Sequence, residues 1–282
     1  MKPSTTRLLT LFIAVALALA CSRDKEKSPA RALEHAAALA KTVETDVGEV
    51  RAGLPEGAKL LVRLVSSDKP LQDDLQAVRE ALERARDKVQ DLRVAKSTFF
   101  ALAEPSGVVL RNDQAQDSMA GKNLFESFPA LRGALEGKRV ETIGQMPEAA
   151  RVKGPDGQWV TAAPVLVDGK ARALYVTGWS WSAYAYRLEN SLRSEVRSQV
   201  GEQGKMPLLY VYMVVTDAAY GAPVSPEVNA SAIVGEKPLE KLDAAGQWST
   251  RIEITGRDFG LAVQRTPILG EGVAIAVLRT ET

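Results

Sequence analysis

Phe99-Phe100-Ala101-Leu102-Ala103-Glu104-Pro105-Ser106-Gly107-Val108-Val109-Leu110-Arg111 reads as two short strands joined by a turn. The flanking runs, 99–103 and 108–111, are apolar or β-branched and suit a pleated, half-buried surface. Between them, Glu-Pro-Ser-Gly puts proline and glycine where a turn needs them. Downstream, Phe128-Pro129 opens a short helix to Leu135, and strands are expected at residues 140–143, 159–166 and 171–180. Val167-Asp168-Gly169-Lys170 joins the last two strands. Residues 181–200 then carry Tyr184, Leu188 and Leu192 at helical spacing. The result is an antiparallel meander followed by a helix.

Residues 201–282 repeat the pattern in shorter form. Strands are expected at 208–216, 248–254, 259–265 and 273–278, with a short helix near Pro238, and the turns include Thr255-Gly256-Arg257-Asp258 and Leu269-Gly270-Glu271-Gly272. Upstream, two stretches have apolar residues spaced three and four apart. The first comprises Leu33, Ala36, Ala40, Val43, Val47, Val50 and Leu54, and ends at residues 53–57; the second comprises Leu71, Leu75, Val78, Leu82, Ala85, Val89 and Leu92, after Pro70. These seams could zip together, pair with another chain or cover a sheet. The expected fold class is therefore α+β: helices over residues 30–96, then two related antiparallel-sheet modules at 97–200 and 201–282.

The N-terminus sets the expected compartment. Lys2 and Arg7 precede an apolar run over residues 8–20, a signal-peptide pattern too short to span a bilayer. Leu17-Ala18-Leu19-Ala20-Cys21 resembles the lipobox of bacterial lipoproteins, with Ala18 where leucine is commoner. The resemblance implies cleavage after residue 20, lipid on Cys21 and attachment of the chain to a bilayer. Ser22 after the cysteine implies the outer membrane, with the body facing the periplasm. Residues 22–29 are charged and poor in apolar residues, and together with Cys21 they read as a lipidated tether, 21–29. Cys21 is the one cysteine, so no disulfide supports the fold.

Loss of Lys2 and Arg7 leaves 34 basic side chains against 35 acidic ones, which argues against nucleic acid as a partner. Catalytic patterns are weak. His35 is the one histidine and lies beside the first seam, away from the sheet residues. That placement argues against a histidine-based metal site or a Ser-His-Asp triad. Ser66-Ser67-Asp68-Lys69 has Ser-x-x-Lys spacing, but the other elements of penicillin-binding enzymes are missing. Asn112, Asp113 and Asp117 cluster oxygen atoms that suit either a cation or, more commonly, turns and caps. No enzyme activity, cofactor or metal is expected.

The stretch quoted first, with Met119-Ala120-Gly121-Lys122-Asn123-Leu124 and Ala134-Leu135-Glu136-Gly137 after it, resembles the opening of Cache domains, the PAS-like extracytoplasmic sensor modules of bacterial receptors. Ala163-Pro164-Val165 and Tyr175-Val176-Thr177-Gly178 resemble the last two strands of that family. The likeness covers residues 71–200, with a weaker echo in 208–282, so the whole is similar to a double Cache arrangement. Such receptors continue into a transmembrane helix and a signalling domain. This sequence stops at Thr282, so output is expected to pass through a signalling partner.

Alternation along residues 171–180 puts Leu174, Val176 and Gly178 on one face and Tyr175, Thr177 and Trp179 on the other; Trp159 and Thr161 alternate likewise. The aliphatic face suits packing on the long helix. The aromatic and hydroxyl face suits the ligand side of a PAS-like sheet, or else a second small core. Arg111 and Arg151 could supply charge for an anionic ligand. The expected function is a lipid-anchored sensor or small-molecule-binding protein without catalysis. The other reading is an interaction or scaffold lipoprotein that engages a partner through its helical seams.

Overall fold

The computed structural model describes residues 5–67, 69–97, 99–146, 157–201 and 204–281, with side chains from residue 27 onward. Helix α1 (Thr5–Leu60) begins the fold. Ala32, Ala36, Ala40, Val43, Val47, Val50, Leu54 and Ala58 recur three and four residues apart along it and are all buried. Composition puts a helix end at residues 53–57, yet the helix continues to Leu60. The glycines there are sites of close approach: a Cβ at Gly53 would lie 2.8 Å from Leu92 Cδ2, and one at Gly57 would lie 2.6 Å from Tyr175 Cε1. Residues 22–29, read as part of a tether, are helical backbone within α1. At their end Ser28 is buried, donating to Arg279 O at 2.6 Å and accepting from Gly260 N at 3.1 Å.

After the short helix α2 (Val62–Val65), the second seam forms in pieces: a 3-10 turn (Leu71–Asp73), α3 (Leu75–Lys88) and α4 (Gln90–Val94). Asp74 caps α3, its Oδ1 accepting from Ala77 N at 2.9 Å. Val89 is extended and separates α3 from α4. Val78, Leu82, Ala85 and Leu92 share one buried cluster with Leu54 and Ala58 of α1 and with sheet residues Phe100, Leu102 and Tyr175. These residues of the two seams thus cover the chain's own sheet, while Leu75 of the second seam is exposed.

Among the described residues, the strands form two five-stranded antiparallel sheets. The first contains β1 (Phe99–Ala103), β2 (Val109–Asn112), β3 (Val140–Gln145), β4 (Gly157–Val167) and β5 (Lys170–Ser180), in the order β2-β1-β5-β4-β3. The second contains β6 (Leu209–Val215), β7 (Ala218–Gly221), β8 (Gln247–Ile254), β9 (Arg257–Arg265) and β10 (Val273–Arg279), in the order β7-β6-β10-β9-β8. Each sheet therefore follows the same path from strand to strand. Between β4 and β5, Asp168 and Gly169 have φ of 50° and 75°, the two-residue turn that matches strand twist.

The helices α5 (Leu124–Ser127), α6 (Trp181–Val200) and α7 (Glu227–Gly235) complete the elements, with 3-10 helices at Pro129–Glu136, Pro238–Lys241 and Pro267–Leu269. The chain divides into two compact units. One is Thr42–Ala185; the other joins α1 up to Lys41 with Tyr186–Thr282. This division falls within α1 and α6, whereas composition changes near residues 97 and 201. In the second unit a separate core gathers Tyr212, Ile233, Ile252, Phe259, Leu261 and Leu278. The fold is α+β with two Cache-like modules, as the resemblance implied.

Candidate functional site

The two faces of the first sheet are covered in the opposite sense to the sequence expectation. Leu174 and Val176 pack with Phe99, Met119, Phe125, Phe128 and Leu131, on the side of α5 and the 3-10 helix. Tyr175 on the other face packs with Leu54, Ala58 and Leu61 from the α1–α2 segment and with Leu82 of α3. Gly57 explains the inversion, since the missing Cβ gives the Tyr175 ring room against the helix. The ring stacks on Phe100 with centroids 5.8 Å apart. Burial, reinforced by the Asp113 carboxylate, pushes the Tyr175 hydroxyl far above the usual tyrosine value.

The other sheet residues lie in the same buried layer. Trp179 stacks between Trp159 and Tyr184, with centroids 4.4 Å away on each side. The Tyr184 hydroxyl donates to Asp46 Oδ2 at 2.7 Å. Thr177 Oγ1 donates to Phe99 O at 2.5 Å, and Thr161 Oγ1 donates to Val140 O at 3.1 Å. Arg139 Nη1 reaches Thr161 Oγ1 at 3.3 Å and also pairs with Glu141, as does Arg51. Burial opposes ionisation of Glu141, but hydrogen bonds from Arg51 and Arg139 outweigh it and hold the carboxyl below the usual glutamate range. Trp159, Thr161, Tyr175, Thr177 and Trp179 are each no more than 1% exposed. Their hydroxyls, where partnered, serve the fold.

Arg111 is drawn into the loop after β2. It pairs with Asp117 at 3.1 Å and donates to Gln114 O at 3.1 Å. Asp117 also accepts from the backbone N–H groups of Asn112, Met119 and Ala120. Asp113 accepts from Phe100 N at 2.9 Å and pairs with Arg86 at 3.2 Å. These carboxylates order the loop and its approach to β1. Arg151 lies outside the described residues, as does the side chain of Cys21.

An open space lined by charged side chains lies in the unit containing Tyr186–Thr282. It is a cleft of about 510 Å³. Met206, Leu208 and Phe259 supply its apolar wall, and Ser28, Thr280 and Glu281 its polar floor. Two bonds hold Ser28, and Gly260 makes this possible, because a Cβ there would sit 2.3 Å from the Ser28 carbonyl carbon. Glu281 is paired with Arg31 at 2.6 Å and Arg279 at 3.1 Å. Arg251 and Arg257 also line the cleft. Both are exposed, and their guanidinium groups have no ion-pair or hydrogen-bond partner among the described residues.

The cleft can receive an anion beside an apolar surface. The Ser28 and Thr280 hydroxyls of the cleft hydrogen-bond backbone atoms, and His35 lies 2.8 Å from Arg279. In the sequence, Arg257 belongs to the Thr255-Gly256-Arg257-Asp258 turn. The available signal is two arginines near one hairpin turn, Arg251 within β8 and Arg257 opening β9. A smaller cavity of about 170 Å³ lies in the other unit, beside Pro55, Lys59, Arg139 and Leu166.

No protein-family model and no curated protein matches the sequence. Solved structures do. The extracellular domain of a histidine kinase is similar with a TM-score of 0.57 at 11% identity, over 92% of both chains. A domain of a sensory box/GGDEF family protein from Vibrio parahaemolyticus gives 0.55 at 11% identity, over 92% of this chain and 98% of that one. The ligand-binding domain of a Campylobacter jejuni chemoreceptor in complex with 4-methylisoleucine gives 0.53 at 11% identity, over 91% and 92%. The chain shares the fold of extracytoplasmic sensor domains of the Cache and PAS-like type. No helix among the described residues is long and apolar enough to cross a membrane.

Proposed function

We propose that this chain is an envelope sensor or small-molecule-binding lipoprotein, held on a membrane by lipid on Cys21 and facing the periplasm, without catalysis. The observation that carries the reading is the sheet order, which repeats in both modules and is matched along nine-tenths of the chain by extracytoplasmic sensor domains. One of those domains holds 4-methylisoleucine, a small amphipathic amino acid, which supports a ligand of comparable size here. The full burial of Trp159, Thr161, Tyr175, Thr177 and Trp179 supports a role for them as a rigid layer of the first sheet. The lipobox-like stretch before Cys21 supports the anchor.

Membrane fractionation tests the anchor. The wild-type protein is expected in the membrane pellet, and Cys21→Ser in the soluble fraction with an unchanged melting temperature. A Cys21→Ser protein that stays in the pellet overturns the lipid attachment. Sensing has its own readout, because a ligand that prefers the folded state must stabilise it.

A further inference from the structure

The cleft beside Ser28 combines three properties that the sensor reading does not use. The first is charge. Arg251 and Arg257 face it unpaired, whereas Glu281, one of its two acidic side chains, is already neutralised by Arg31 and Arg279. Arg251 and Arg257 line the cleft with Asp258 and Glu281, and because Arg31 and Arg279 pair with Glu281 from beside it, arginines outnumber carboxylates there. The second is the apolar wall of Met206, Leu208 and Phe259, which suits methylenes next to an anion. The third is position. Ser28 follows Cys21 by seven residues. Along a helix that separates the two by about 10 Å. A fully extended chain would separate them by at most about 25 Å. Lipid on Cys21 therefore brings headgroups within reach of the cleft.

We propose that this cleft binds the phosphate of an anionic membrane lipid headgroup, with Arg251 and Arg257 contacting the phosphate and Phe259, Met206 and Leu208 lining the glycerol and first methylenes. The inference rests on the anchoring described above. It gives the second module a task of its own: holding the body in a fixed attitude on the bilayer. Arginine suits it, since the planar guanidinium pairs with phosphate through two parallel hydrogen bonds.

The test compares full-length wild type with the double variant Arg251→Gln/Arg257→Gln, sedimented with phosphatidylcholine vesicles and with vesicles that also contain phosphatidylglycerol. Wild type is expected to bind the anionic vesicles roughly tenfold or more tightly than the zwitterionic ones, and the double variant to lose that gain. Arg251→Lys/Arg257→Lys, which keeps the charge but not the paired hydrogen bonds, should retain only part of it. Both arginines are exposed, so melting temperatures should match. A double variant that keeps the full gain overturns the proposal. So does a result in which inorganic phosphate raises the melting temperature of wild type alone while the vesicle gain is unaffected by the substitutions; the cleft would then serve a free anion. Failure of the Cys21 anchor would shift binding to both vesicle types equally, which separates it from failure of the cleft.

Discussion

The His35 Nε2 atom lies 2.8 Å from Arg279 Nη1, joining the first helix to the last strand. Burial first, and then the Arg279 charge, lower the histidine pKa; Glu195, Glu34 and Glu281 oppose this less strongly. The unfolded chain takes up the proton more readily than the folded one, so stability rises with pH through this window. The stabilisation is complete above about pH 7 and is lost as pH falls below about 6.5, toward the lowered folded value. The melting temperature should therefore fall between pH 7.5 and pH 5.5, and His35→Gln should flatten that slope. Equal slopes for the two proteins would exclude the pair as its source.

Glu141 acts in a lower window. Its folded pKa is depressed by Arg51 and Arg139, so its contribution is present above the ordinary carboxylate range and disappears as pH falls through it. Glu141→Gln should cost about 1 kcal/mol at neutral pH in denaturant unfolding. The cost should shrink when both proteins are measured near pH 3.5.

Two glycines of α1 should respond oppositely to alanine. At Gly57 a Cβ meets Tyr175 and Leu92 at 2.6 and 2.7 Å, whereas at Gly48 nothing lies within 4 Å. Gly57→Ala should destabilise by about 1–3 kcal/mol through overpacking. Gly48→Ala should stabilise by about 0.5–1 kcal/mol through helix propensity. Urea midpoints check both.

Trp179 fills a layer between two rings. Trp179→Ala should cost about 3–5 kcal/mol, the range for large aromatic deletions in a core. A loss under about 1 kcal/mol would mean that the layer is loosely packed.

The strands around Pro105-Ser106-Gly107 and Asp168-Gly169 were legible because turn chemistry is local. The short β7, with its Ala-Ala-Tyr-Gly sequence, and α7, whose apolar residues follow no one-sided pattern, carry no comparable signal. Alternation identified which residues share a face with Tyr175, but gave no information about which face the helices cover. That was decided by Gly53 and Gly57, which read equally well as terminators and as contact points, since a missing Cβ both weakens a helix and admits a neighbour. Trp159, Tyr175 and Trp179 therefore form a filled layer, the second of the two arrangements that their alternation allows. The cleft was hidden for another reason: Ser28, Arg251 and Thr280 are far apart in the sequence and meet only once β9 and β10 pack against α1.

The central claim is that this fold senses a small molecule, and melting the purified protein with individual amino acids, organic acids and amines tests it most directly. At a ligand concentration of about 100 times Kd, a specific ligand should add about 2.7 kcal/mol of stability. That would appear as a rise of several degrees in melting temperature. Such a rise, saturable with concentration, is expected for at least one class of compound. A melting temperature unmoved by every member of the panel would contradict it.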